Sequence, residues 1–179
     1  MQRIVVGITS LEQHRLTLSS NPEVYRPSAC PHCGFGVLWS HGSYDRKADR
    51  IGAGRESANP VPIPRYCCAG CGGTCSRLPA CIAPRRWYHW LIQQLHLRAL
   101  LRQERVDSPS AWPVPARRTI GRWRDWLAER SLVFRFHLTS RFAELARLAD
   151  DVDYWCRVFD TMGLTGAMAW VDREISVPS

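Results

Sequence analysis

The chain has almost no lysine: of its 24 basic side chains 23 are arginine, and only Lys47 is not. Coding bias in a GC-rich genome produces the same preference, so arginine over lysine says nothing by itself about partners. No apolar run approaches 18 residues, which excludes a membrane-spanning helix from the expected architecture. Residues 1–18 lack the basic start and apolar stretch of a secretory signal. A cytoplasmic, nucleoid-associated bacterial protein with no membrane partner is therefore expected. Disorder is excluded as well, because 45% of the residues are hydrophobic and eight are Trp, enough for one domain or two small ones in 179 residues.

Cysteine is present in number, and its spacing organises the rest. Cys30-Pro31-His32-Cys33-Gly34 is answered by Cys68-Ala69-Gly70-Cys71-Gly72, with 34 residues between Cys33 and Cys68. One C-x-x-C turn is a redox pair or chance. Two of them supply the four thiolates that Zn²⁺ takes in a tetrahedron, each turn placing two sulfurs on one side of the metal. The glycine after each turn lets backbone N–H groups swing toward sulfur. Four cysteine ligands leave no position for water, so the expected ion is one structural Zn²⁺, held by Cys30, Cys33, Cys68 and Cys71. Its binding is expected to help fold a segment with little core of its own. Cys67 is a rival third ligand, giving C-x-x-x-C with Cys71; Cys68 repeats the spacing of the first turn. Cys75, Cys81 and His41 are spare candidates, and Cys156 reads as core. Metal ligation by four of eight cysteines fits a reducing compartment better than a disulfide framework does.

The net charge of +8 is unevenly placed. Residues 1–83 carry nine basic and five acidic side chains, 84–130 carry ten and four, and 131–179 carry five and seven. A basic middle segment points to a polyanion, most often nucleic acid.

Along the chain, residues 3–8 read as a short strand and His14–Leu18 as a second, with a turn at Ser19–Pro22 and the arm packed on the ribbon. Val37–Tyr44 and Val61–Cys67 read as strands joined by a loop over 49–60; Pro62 and Pro64 suit an edge strand. Cysteine turn, strand, loop, strand, cysteine turn is the order of a zinc ribbon. Trp39, Tyr44 and Tyr66, interleaved with Arg46, Arg65 and Arg77, either stack on bases and grip phosphates or cover the thin ribbon core.

From Pro84 the period changes to helical. Trp87, Leu91, Leu95 and Leu100/Leu101 mark a helix over about 85–105, its apolar face widened by Trp90 and Leu97 and its end set by Asp107-Ser108-Pro109. Residues 108–114 hold at most a short turn. Pro115 opens another helix through Leu127, since proline is preorganised for a first helical turn. Ile120, Trp123 and Leu127 form its buried stripe. Arg118 and Arg122 then lie on the opposite side, with Arg117, Gly121 and Arg124 beside them. A long helix, a short turn and a basic helix make a helix-turn-helix, whose second helix enters the major groove by its N-terminal half. A solvated arginine-rich face is the alternative. Expected DNA contacts are Arg117, Arg118, Thr119, Arg122 and Arg124, with Arg85, Arg86, Arg46 and Lys47 on phosphates.

Cys30–Gly34, Trp39–Tyr44, Val61–Tyr66 with Cys68 through Cys71, Leu78-Pro79 and the Thr119-Ile120-x-x-Trp123 helix together resemble the zinc-ribbon plus helix-turn-helix N-terminal module of bacterial insertion-sequence transposases, and stand-alone mobile-element proteins sharing it. The resemblance covers roughly residues 28–130. It implies recognition of element-end DNA, with a transposase or integrase of the same element as a possible partner. A catalytic RNase H-like domain does not fit in the 49 residues after Arg130, and Asp150-Asp151-x-Asp153 reads as solvated helix surface, so no enzymatic activity is expected.

In the tail, Phe142, Leu145, Ala149, Val152, Trp155 and Phe159 form a helical stripe, interruptible near Asp150 and ended by Gly163. A last short helix follows over 164–171. The stripe either packs back on the Trp-rich helices or serves a homodimer. The expected fold class is α+β: an N-terminal arm and four-cysteine zinc ribbon over 1–83, a helix-turn-helix domain over 84–130, and C-terminal helices over 131–179. The expected function is sequence-specific binding of double-stranded DNA. The competing readings are an adaptor that recruits a transposase or the transcription machinery, and an RNA-binding ribbon protein.

Overall fold

Ser10 begins the first helix. Its hydroxyl accepts the Gln13 N–H at 3.1 Å, while the Gln13 side chain turns back to accept the Thr9 N–H at 2.9 Å. This reciprocal S-x-x-Q closure satisfies donors that a helix start leaves open, and α1 (Leu11–Ser20) follows from it. The strand expected at His14–Leu18 is thus a helix, and the strand expected over 3–8 shrinks to β1 (Ile4–Val5), with Gly7 at φ +101°. The computed structural model describes residues 4–46, 60–83, 88–106 and 114–175. The molecule mixes helix with two small sheets, an α+β fold.

A single turn of 3₁₀ helix, Pro22–Tyr25, leads to the first cysteine turn and then to β2 (Leu38–Arg46). β3 (Val61–Cys68) pairs antiparallel with β2, Leu38 opposite Cys68 and Arg46 opposite Val61, with an irregularity between Ser40 and Ser43. β4 (Thr74–Cys75) pairs on the other side of β3, and β5 (Leu78–Pro79) runs parallel to β1. β3 is therefore the central strand and not an edge. It tolerates its prolines because β4 reaches only Tyr66 and Cys67, leaving the Pro62–Pro64 stretch with one strand partner. α1 covers that stretch: His14 Nε2–H donates to the Pro62 carbonyl at 3.0 Å, and the Tyr25 hydroxyl donates to His14 Nδ1. The arm packs on the three-stranded sheet, as expected. It contributes Val5, Ile8 and Tyr25 to one apolar cluster with Leu38, Tyr66 and Cys75, and Leu11 to a second with Val61, Ile63, Leu78, Cys81 and Ile82. The sheet region has more core than its composition suggested.

α2 (Trp90–Arg102) starts later than the expected residue 85, with Trp90 as its first helical residue after the extended His89. It ends on Gln103 at φ 57°, where the Glu104 N–H reaches back to the Ala99 carbonyl at 2.9 Å. The expected starting residues 84–87 and the loop 107–113 lie outside the described residues. The buried face of α2 also differs from expectation. Leu91 and Leu100 point outward, while Trp90, Ile92, Gln93, His96, Leu97 and Ala99 point in. Two polar residues on the true inner face disguised it.

α3 (Arg117–Arg141) is twice the expected length. Its stripe of Trp123 and Leu127 continues through Ser131, Phe134 and Leu138, so the division placed at residue 130 falls inside one unbroken helix. After a 3₁₀ turn at Ala143–Arg147, Asp150 caps α4 (Asp151–Thr161) by accepting the Asp153 N–H at 2.9 Å. α4 ends in its cap, Met162, and Gly163, at φ +67°, opens α5 (Gly163–Ile175), longer than the short helix expected over 164–171. α2 to α5 share one core, which includes Leu145, Tyr154, Trp155, Val158, Phe159, Leu164 and Met168. Of the expected C-terminal stripe, Leu145, Trp155 and Phe159 pack back into this core, as the first of its two readings held, Phe142 and Val152 are half-buried, and Ala149 is exposed. Ile4, Ala80 and Ala83 join this core, and the Ile4 N–H donates to the Asp172 carboxylate at 2.9 Å, so α5 is tied to β1. No helix among the described residues is long and apolar enough to cross a membrane.

Two buried histidines are expected to make the fold acid-sensitive. Burial lowers the His14 pKa, with Arg15 adding to it against the Pro62 carbonyl, and burial alone lowers that of His96. His96 Nε2 has no hydrogen-bond partner, so its protonation would bury an unpaired charge. A base whose folded pKa lies below its unfolded value of about 6.5 leaves the unfolded chain holding more protons. This stability is complete above that unfolded value and is lost as pH falls from it through the folded pKa. Thermal melts between pH 7 and pH 5.5 should show the midpoint dropping, and His96→Gln should flatten that slope. Equal slopes in wild type and His96→Gln would exclude His96 as a contributor.

Candidate metal centre and basic helix

The two cysteine turns are built alike. In the first, the Gly34 N–H donates to the Cys30 carbonyl at 2.8 Å and the His32 N–H points at the Cys30 sulfur at 3.4 Å. In the second, the Gly72 N–H donates to the Cys68 carbonyl at 3.0 Å and the Gly70 N–H points at the Cys68 sulfur at 3.3 Å. Gly34 and Gly72 sit at φ +75° and +69°, a region that a side chain makes costly. The pairing of Leu38 with Cys68 brings the turns together at one end of the sheet.

All four sulfurs lie within 4.8 Å of one another. Cys30 and Cys71 are 3.7 Å apart, Cys33 and Cys68 3.6 Å. A tetrahedron with metal–sulfur bonds of ~2.3 Å has edges of about 3.8 Å, so the spacing suits a thiolate-bound ion. Cys68 is the third member and Cys67 is not: the Cys67 sulfur turns away, toward the Gly72 carbonyl at 3.4 Å. The N–H groups of Cys71 and Gly70 draw the Cys68 thiol down to about 6 against the effect of burial. Cys33 accepts the Phe35 N–H, which lowers its thiol, but the Cys71, Cys68 and Cys30 sulfurs and burial outweigh this and push it up to about 12. Four thiols this close cannot all ionise unless a cation shares them. The His32 ring lies against the second turn: a Cβ on Gly73 would stand 3.0 Å from it. The spare candidates do not join; Cys75 and Cys81 are buried in the apolar clusters, and His41 is exposed on β2. Cys156 is buried, as expected, and its sulfur accepts the Arg102 Nε–H at 3.3 Å.

The ribbon aromatics divide. Tyr66 is buried, donates to the Pro22 carbonyl at 3.0 Å and carries the Arg26 guanidinium 5.2 Å from its ring centre. Tyr44 is half-buried beneath Arg65, at 5.3 Å. The two tyrosines cover the core, and Trp39 alone stands out, 63% exposed. Arg46 is also turned inward: its Nη2 donates to the Ala83 carbonyl at 2.5 Å, and burial lowers its pKa. It braces the sheet against the chain entering α2 and is not a free cation on the surface. Arg77 is likewise inward, donating to the Val24 carbonyl at 3.4 Å. Lys47, Arg85 and Arg86 lie outside the described residues.

The α3 arginines are placed as the sequence suggested. Arg117, Arg118, Arg122 and Arg124 are exposed, and Thr119 and Ile120 are half-buried. Arg124 pairs with Asp125 at 2.8 Å. Trp123 holds the helix to the α2 side through edge contact with Tyr88, ring centres 5.3 Å apart, and a tilted contact with His96 at 6.4 Å. Sequence reasoning missed the state of the helix end. Ala116 provides no side-chain cap and the first turn has no acidic residue. Open N–H groups and the positive end of the helix dipole therefore coincide with Arg117 and Arg118. The absence of Asp, Ser or Thr before Arg117 was the available signal.

No curated protein and no solved structure matches the chain. Residues 30–123, from the first cysteine of the cluster to the tryptophan that anchors α3, match the family described as a domain of unknown function (DUF6431). The match takes in both cysteine turns, the three-stranded sheet, α2 and the first turns of α3, and the chain belongs to that family.

Proposed function

We propose that this chain binds double-stranded DNA, through a zinc ribbon stabilised by one structural Zn²⁺ at Cys30, Cys33, Cys68 and Cys71 and a helix-turn-helix formed by α2 and α3. In this reading it is a DNA-recognition protein of a bacterial mobile element, with a module like that of insertion-sequence transposases. No residue is assigned a catalytic step.

The observation that carries the reading is the uncapped start of α3. Arg117, Arg118 and Arg122 are exposed there, while Trp123 and Leu127 are buried. Cations at a helix N-terminus oppose the dipole by about 0.3–1 kcal/mol each. A phosphate relieves that repulsion and takes up the open N–H groups at once. Arg118 and Arg122, one turn apart on the outer face, are the residues for base edges. A bidentate Arg–guanine contact discriminates by about 1–3 kcal/mol.

Selection from a random duplex pool, followed by affinity measurements across a salt series, tests this. Arg122→Ala should relax preference at one base position. Arg117→Ala should weaken binding to all duplexes alike and lower the salt slope by about 0.9, the share of one phosphate contact. Unchanged affinity and preference in Arg118→Ala and Arg122→Ala would leave α3 a solvated surface and remove the proposal. A preference for single-stranded RNA over duplex DNA would remove it too.

A further inference from the structure

Beyond its basic turns, α3 carries an exposed apolar ridge that includes the most exposed large hydrophobic among the described residues, Leu132. Leu132 is 83% exposed, Phe136 71% and Val133 48%. They lie at i, i+1 and i+4 on the side away from the buried stripe of Ser131, Phe134 and Leu138. Beside this ridge is a groove of about 220 Å³ between α2, α3 and α4, lined by Leu97, Leu100, Leu101, Leu127, Ala128 and Trp155. Its volume falls below the roughly 300–1,000 Å³ of small-molecule pockets. It has the scale of one or two inserted side chains. The charges at its wall are already paired, Arg124 with Asp125 and Asp151 with Arg135, so an apolar group entering meets no unpartnered ion.

Ridge and groove adjoin. Ala128 in the groove wall and Leu132 on the ridge are one turn apart, and Phe136 is the next turn on. A surface that carries a knob next to a hole of matching polarity satisfies itself across a two-fold axis: each copy's knob fills the other's hole. We propose that two copies of this chain associate through this face, Leu132 and Phe136 of each seated in the Leu100–Leu101–Ala128 groove of the other. The area agrees with that occupant. The three ridge residues offer on the order of 350 Å² of apolar surface. Doubled, and with the groove walls added, the contact reaches about 1,000 Å², the size at which a specific interface begins.

The contact has a consequence for the α3 arginines that rests on the DNA reading above. Arg118 lies 18 residues before Phe136 on the same helix, about 27 Å at 1.5 Å per residue. A dyad near the ridge therefore sends the two basic ends in opposite directions, far enough apart for half-sites one helical turn, ~34 Å, from each other when the helices cross obliquely.

Sedimentation of the full, metal-loaded chain at roughly 100 µM, a concentration at which a small interface associates, should give a dimer. Phe136→Ser/Leu132→Gln on the ridge and Leu100→Glu in the groove should each weaken it at least tenfold with unchanged helical circular dichroism, which their exposure makes the expected outcome. An equimolar mixture of the ridge and groove variants should re-form dimers, because one intact knob and one intact hole then meet. A monomeric wild type, or a dimer that survives both variants, would overturn the proposal. So would a mixture no better associated than either variant alone, which is the result expected if the two ridges simply stack. All three readouts are hydrodynamic and stand or fall without DNA. If the dimer forms, selected duplex sites should be two-fold symmetric.

Discussion

Cys68→Ala is expected to abolish zinc binding and release both cysteine turns, while Cys67→Ala leaves them intact. The two residues are neighbours in β3, yet successive side chains in a strand point to opposite faces. Cys68 is buried, 3.6 Å from the Cys33 sulfur, and Cys67 faces the Gly72 carbonyl. Structural zinc contributes about 10–16 kcal/mol of apparent binding free energy to small zinc domains, and three thiolates hold the ion far less tightly than four. Elemental analysis should fall from about one zinc per chain to near none in Cys68→Ala. Hydrogen exchange should accelerate over 30–40 and 66–75. Protection should persist in α2 to α5, whose core contains none of the four cysteines. Cys67→Ala should keep its zinc and change stability by no more than about 0.5–1 kcal/mol. The opposite ranking would mean that the third ligand is Cys67.

The four-cysteine cluster was legible from sequence because coordination chemistry fixes residue type, number and spacing together, and the second turn repeats the first down to its glycine. The basic helix was legible in part. Trp123 and Leu127 set its phase, and with it the exposure of Arg118 and Arg122, but its length was not, because Ser131 interrupts an apolar stripe that Phe134 and Leu138 resume. α1 was lost to a different cause. Leu16, Thr17 and Leu18 read as strand material, while the Ser10–Gln13 closure that starts the helix went unweighed. α2 was misphased because its buried face carries Gln93 and His96, the first donating its side-chain N–H to the Tyr88 carbonyl at 2.8 Å. Arg46 could not be placed from sequence: it falls just past the strand expected over Val37–Tyr44, and the Ala83 carbonyl that claims it is distant along the chain. The tail shows the same limit in reverse. Its stripe was open to back-packing or to a partner, and only the fold shows the exposed apolar ridge of Leu132, Val133 and Phe136 on α3.

Trp155→Ala is expected to cost the helical core about 3–5 kcal/mol, the range for removing a buried tryptophan. That is a large part of the roughly 5–15 kcal/mol that holds a typical domain together, and it should lower the melting midpoint by about 10 °C. Trp155 is 1% exposed at the junction of α3 and α4. Its ring meets Phe134 edge-on at 6.4 Å and packs against Tyr154 and Phe159, at 5.6 and 6.0 Å. Its indole N–H donates to the Ser131 hydroxyl at 3.0 Å, so the polar residue within the α3 stripe has a partner that explains it. Trp155→Phe retains most of the apolar contact and should cost much less. Ser131→Ala should cost about 1–3 kcal/mol, because it leaves the indole N–H buried and unsatisfied. In the double variant Trp155→Phe/Ser131→Ala the two losses should not add, since both remove one hydrogen bond. Additive losses would show that Ser131 acts through packing alone. Zinc content should remain at one in every variant, because the clusters beneath the ribbon include no neighbour of Trp155. Loss of zinc on substituting Trp155 would instead show that the helices and the ribbon fold as one cooperative unit, coupled through Ile4, Ala80 and Ala83 at their junction.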